Sequence, residues 1–267
     1  MSINFEKNTF KKRIKSMLGV DFRRMFTYPL YYIMVGASLV MPILILVMTS
    51  MMDGMVTVDP QTGAETVMEG FKNVWQIIGA VSGGEQSMSM DITSMCNINM
   101  MFFIISIFVC LFVSDDFRSG YAKNLFTVRA KKDDYVASKT IVCFVAGASM
   151  IIAFFVGSII GGAIAGLPFA LEGATVLNVI MCVLSKILLV GIFSSIYILA
   201  SVFAKQKLWL SLIVAFGVGM LMFMMIPIIT PLNSTIVNLI LCLVGSAIFS
   251  VGIGFGSKAI LDKSSLI

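Results

Sequence analysis

The chain offers few side chains suited to covalent or metal chemistry. Histidine, the commonest general base near neutral pH and the commonest transition-metal ligand, is absent. The five cysteines, Cys96, Cys110, Cys143, Cys182 and Cys242, fall in or at the edge of apolar runs without paired ligand spacing. They read as packing thiols rather than as disulfides or a zinc site. Nucleotide chemistry needs a glycine-rich turn ending in Gly-Lys-Ser/Thr, whose backbone N–H groups cradle the phosphates while lysine and hydroxyl meet the γ-phosphate and Mg2+. Val81-Ser82-Gly83-Gly84-Glu85-Gln86 and the acidic pair Asp115-Asp116 imitate pieces of such a site, but Gly256-Ser257-Lys258 has the wrong order and no phosphate loop exists. No catalysis and no cofactor or metal bound by this chain are therefore expected. One cation, Lys186, stands inside an apolar run. At about 100° per residue, Tyr197 lies about 20°, Ser201 about 60° and Ser194 about 80° from it, so the four share a helix face. Lys186 either snorkels to headgroups, or the whole stripe turns toward a partner helix, a subunit interface or a water-filled path.

The elements that carry these residues follow from composition. With 58% hydrophobic and 12% charged residues and a mean hydropathy of +0.99, the chain cannot clothe a water-soluble domain of its length. A bilayer core of about 30 Å needs about 20 apolar residues in a helix. Six runs meet that need, at 30–52, 95–113, 141–167, 176–204, 208–229 and 236–255. They are continuous rather than alternating, which selects helices over barrel strands. The expected fold is all-α: one polytopic unit, 1–267, with six transmembrane helices. The polar, basic lead of about thirty residues is too long for a simple signal peptide, so the first run is expected to remain as a span.

Lysine and arginine set the orientation. Seventeen lie in the N-terminal lead, in segment 114–140, between the fourth and fifth runs and in the C-terminal tail, whereas the segments assigned to the other side hold only Lys72. Positive charge stays in the cytoplasm, which places both termini and segment 114–140 inside, and the acidic loop 53–94 outside. In the lead, Phe10, Ile14, Met17, Leu18 and Phe22 repeat at helical spacing opposite Lys11, Lys12, Lys15 and Arg23, which predicts an amphipathic helix along the cytoplasmic headgroups. Phe71, Val74, Trp75, Ile78 and Val81 predict a short interfacial helix or lid outside. The pairs Gly157/Gly161, Gly162/Gly166 and Gly252/Gly256 predict close helix contacts within the subunit. Pro42, Pro227 and Pro231 are expected to kink or stop helices.

The most informative stretch is Ser114 to Thr140, SDDFRSGYAKNLFTVRAKKDDYVASKT. Acidic residues end a span; Arg-Ser-Gly, a lysine, an apolar Leu125-Phe126 tip and a basic–acidic–aromatic run follow, and Ser138-Lys139 enters the next span. This order resembles the coupling loop of type 2 ATP-binding-cassette exporter permeases. The chain departs from many relatives in carrying Val128-Arg129 where they have a proline in the basic turn.

The resemblance implies a cytoplasmic coupling helix between spans two and three that docks on a separate ATP-binding-cassette ATPase, which would bind ATP and Mg2+. By position, Gly120 would permit the turn, Leu125 and Phe126 would fill an apolar pocket, and Arg118, Lys123 and Arg129 would meet acidic groups, with Lys132 and Tyr135 in the following run. It further implies a second permease copy or a sister permease, the bilayer of a bacterial inner membrane and no nucleic-acid partner. A secondary transporter, the alternative, would need midplane ionisable groups and internal repeats, and only Lys186 answers to the first. Nothing in the sequence names a substrate.

Overall fold

The structure is a computed structural model that describes residues 10–58, 65–81, 96–128, 131–171, 173–205, 207–223 and 225–263. The long elements are helices: α1 (Phe10–Thr27), α2 (Pro29–Met52), α3 (Met101–Arg118), α4 (Tyr121–Val128), α5 (Lys132–Ala165), α6 (Val176–Ala204), α7 (Leu208–Phe223), α8 (Ile226–Ile229) and α9 (Ile236–Lys263). Between α2 and α3 lie a small antiparallel ribbon, Val56–Val58 with Glu65–Val67, and 3-10 turns at Val74–Ile77 and Ile98–Met100. Arg129 and most of the Val81–Gln86 stretch fall outside the described residues.

Among the described residues, five helices are long and apolar enough to cross a membrane. The expected sixth, at 208–229, is divided into α7, of 16 residues, and α8, of four. Pro227 is the reason. A proline has no N–H to give and its ring crowds the carbonyl four residues back, which is that of Phe223, the last residue of α7. Pro42 sits inside α2 without ending it. Span limits shift elsewhere too. The second helix runs on to Arg118 and the third begins at Lys132 rather than Ile141, so segment 114–140 is mostly helix.

α2 and α5 pack closely because glycine removes the side chain between them. A Cβ on Gly157 would collide with the carbonyl of Leu39, one on Gly161 would lie 2.7 Å from Ile43 Cα, and one on Gly162 would collide with Val74. The Gly157/Gly161 pair thus works within the subunit. Gly252 has nothing within 4 Å of a built Cβ, so the expected close contact is missing there. Gly157→Ala is expected to destabilise the protein by about 1–3 kcal/mol through overpacking against backbone, whereas Gly252→Ala leaves the melting temperature of the detergent-solubilised protein unchanged. Equal melting temperatures for the two variants would contradict this packing.

At the ribbon end of the bundle, residues 71–81 form a cap. Phe71, Val74, Ile77 and Ile78 are buried, and the only helical turn is the 3-10 turn, shorter than the periodicity predicts. Val74 N–H donates to the Pro168 carbonyl at 3.3 Å, Trp75 Nε1 to Phe169 at 3.0 Å, and Leu232 N–H to the Ala80 carbonyl at 2.8 Å. The cap thereby ties the α5–α6 loop to the α8–α9 loop.

Candidate functional site

The opposite end of the bundle, where α4 lies, is built around buried charge. α1 forms over the expected residues, but its buried strip is Met17, Asp21 and Met25, spaced four apart and laid on α5, while Phe10 is half exposed. An aspartate on the protein-facing stripe needs a cation, and α5 supplies one. Lys139 Nζ lies 2.9 Å from Asp21 Oδ1 and 2.8 Å from Asp116 Oδ2 of α3, with all three side chains fully buried. Ser138 Oγ donates to Asp21 Oδ2 at 2.6 Å and Tyr135 OH to Asp116 Oδ2 at 2.9 Å. Arg24 Nη1 closes the group 2.7 Å from Asp116 Oδ1. Two carboxylates thus face two cations across α1, α3 and α5. Beside them, Arg13 Nε donates to Asp134 Oδ2 at 2.7 Å.

α4 rests on this cluster through its aromatic residues. Gly120 takes φ 75° between α3 and α4, a backbone conformation that favours glycine and turns the chain sharply. Tyr121 then lies with its ring 4.1 Å from the Arg24 guanidinium carbon, and Phe126 packs edge-to-face on Tyr135 with ring centroids 5.3 Å apart. For Arg24, burial works against the charge, but Asp116 outweighs it and raises the pKa above the ordinary arginine value. Burial, reinforced by Asp21, pushes the Tyr121 phenol above its usual range. A neutral ring therefore faces a permanent cation.

The residues singled out in segment 114–140 divide into two sets. Arg118 and Lys123 are exposed, together with Asn124 and Thr127. Leu125 and Phe126 are half-buried against the chain's own core rather than projecting as a tip. Tyr135 is fully buried in the cluster, and Lys132 reaches α9, donating to the Leu261 carbonyl at 2.6 Å and lying 3.4 Å from Asp262. Lys258 adds a second tie to the start of α5, 2.9 Å from Asp133. The polar stripe of α6 is buried throughout: Lys186, Ser194, Tyr197 and Ser201 are each 0% exposed, so Lys186 does not snorkel. Tyr197 OH donates to the Phe102 carbonyl at 3.1 Å, and Ser201 Oγ lies 2.8 Å from Ser211 Oγ of α7.

Sequence reasoning missed Asp21, Arg13, Arg24 and Asp134 as a group. The available signal was Asp21 itself, an acid at the centre of the stripe Met17–Asp21–Met25 in an otherwise basic lead. Lys139 was visible only as a basic residue entering a span. Among the described residues no three histidine, cysteine or acidic side chains converge as metal ligands. Tyr121 and Phe126 thus join α4 to Arg24 of α1 and Tyr135 of α5, both of which reach Asp116 of α3.

No curated protein and no solved structure matches the chain. A family model does match, over residues 22–222, from the end of α1 through α2–α6 into the last turn of α7, including the acid pair at the end of α3 and the start of α5 with its lysine. The family is described as ABC-2 family transporter protein, a membrane component distinct from the ATPase. Long apolar helices, a charge-anchored short helix between the second and third of them and this match over most of the sequence agree, and the chain is a transmembrane subunit belonging to the ABC-2 transporter family.

Proposed function

We propose that the protein is the membrane half of an ATP-driven exporter, with α4 as the helix that docks on a separate cytoplasmic ATP-binding-cassette ATPase. The observation that carries this reading is the seating of α4: its inner face is bound to a charge cluster common to three helices, while Lys123, Asn124 and Thr127 face outward. A docking helix must do both, because force from the partner has to pass into the bundle without being lost in a slack loop. ATP and Mg2+ belong to the partner. Two such ATPases and a second permease copy or sister permease complete the assembly, and closure of the ATPases would rock the permeases and open a path outward.

The seventeen-to-one distribution of basic residues supports an arrangement with both termini and α4 in the cytoplasm and the cap outside, in a bacterial inner membrane. On a cysteine-free background, a cysteine at Lys72 should react with an impermeant maleimide applied to intact cells, and one at Ser119 should react only after permeabilisation. The opposite pattern would reverse the orientation. The coupling reading is tested by co-purification with the candidate ATPase: Lys123→Glu on the exposed face should weaken the complex and leave the melting temperature of the permease unchanged.

A further inference from the structure

The two buried lysines of the bundle are held in different ways. Lys139 is clamped by two carboxylates. Lys186, in α6, is equally buried but is held by neutral oxygens: Nζ donates to Asn99 Oδ1 at 2.8 Å and to Thr230 Oγ1 at 2.9 Å. Among the described residues no carboxylate pairs with it. An ammonium group held by two neutral acceptors in an apolar interior has lost most of its hydration and gained no counter-charge. Releasing Lys186 to water therefore costs only these two charge-assisted hydrogen bonds, whereas Lys139 would have to abandon two ion pairs.

The partners of Lys186 sit where the chain can move. Asn99 lies in the 3-10 turn that enters α3, and Thr230 caps α8, the four-residue piece that follows the turn at Met225 and carries Pro227. Short segments beside helix interruptions can shift without unwinding a long helix. The cap lies directly above. Cys182, one turn along α6, donates its thiol to the Thr230 carbonyl at 3.5 Å; a Cβ built on Gly79 of the cap would lie 3.8 Å from the Cys182 sulfur; and the Leu232 N–H, two residues past Thr230, holds the Ala80 carbonyl.

We propose that Lys186, Asn99 and Thr230 form a releasable latch that keeps the cap end of the bundle closed and lets go when the transporter opens toward that side. The charge cluster at the α4 end is the rigid joint, and the lysine with neutral partners is the catch. Opening of the latch frees Thr230, and with it the α8–α9 loop and the cap, exposing the end of α6 around Cys182.

The proposal rests on the transporter reading, and the test separates the two. A full-length chain keeping Cys182 as its sole cysteine is placed in right-side-out and inside-out membrane vesicles and treated with an impermeant maleimide. Lys186→Met and Thr230→Val should each speed labelling of Cys182 about tenfold or more, the shift expected when charge-assisted hydrogen bonds are lost from the closed state. Thr230→Ser, which keeps the hydroxyl, should stay within about twofold of the parent. A second chain keeping only Cys143, buried near Lys139, should label slowly with or without Lys186→Met. Parental labelling rates at Cys182 in both Lys186→Met and Thr230→Val would overturn the latch. So would a joint rise at Cys182 and Cys143, because Lys186 would then act as a general stability residue. Acceleration seen only in inside-out vesicles keeps the latch and refutes the outward placement of the cap.

Discussion

Lys139→Met is expected to destabilise the folded chain by about 3–5 kcal/mol and to abolish export, because it strands carboxylates that the rest of the structure has already dehydrated. Asp21 and Asp116 would share only Arg24, which reaches Asp116 at 2.7 Å but stands 3.9 Å from Asp21. Asp21 would keep the Ser138 hydroxyl, one neutral donor for a full charge. The measurement is thermal unfolding of the detergent-solubilised chain alongside export in cells. Adding Asp21→Asn to Lys139→Met restores charge balance around the Asp116–Arg24 pair and keeps an acceptor for Ser138, so the double variant should recover most of the lost stability. A single variant that melts and exports like the parent would remove the cluster from any structural role.

Phe126→Asp is expected to disable coupling while leaving the membrane helices in place. The ring is half-buried on Tyr135, whose hydroxyl is spent on Asp116. A carboxylate at position 126 would have to sit on an aromatic face beside an existing acid, so α4 should detach instead. A detached α4 no longer presents Lys123, Asn124 and Thr127 from a fixed seat and would have to be reordered on binding, so the complex with the ATPase should weaken about tenfold or more. Phe126→Leu, which refills part of the contact, should fall between the two. Co-purification with the ATPase and export are the readouts, with membrane insertion as the control. Undiminished co-purification and export in Phe126→Asp would mean that α4 does not carry the coupling.

The two variants differ in where the damage starts. Lys139→Met acts on the joint shared by α1, α3 and α5, so folding and export fail together. Phe126→Asp acts on the short helix seated against that joint, and the bundle should survive it. A transmission element behaves this way, because its loss separates activity from stability.

Hydropathy and charge carried a reader to the helical class, to the position of most spans and to the segment between the second and third of them. These are local, additive properties: an apolar run of sufficient length prefers lipid wherever it later packs, and basic residues are counted loop by loop. The order of residues from Ser114 to Thr140 carried the family resemblance for the same reason. Tertiary packing decided the rest. Asp21 and Lys139 are 118 positions apart, and nothing local to either marks them as a pair. Helical phase placed Lys186, Ser194, Tyr197 and Ser201 on one face but could not say whether that face met headgroups, a partner helix or water; only the arrival of Asn99 and Thr230 from other parts of the chain made it interior. The same holds for the spans themselves. α3 and α5 extend past their apolar runs because Asp116, Tyr135 and Lys139 satisfy one another inside the fold, and a charge neutralised by a distant partner no longer ends a helix where hydropathy says it should.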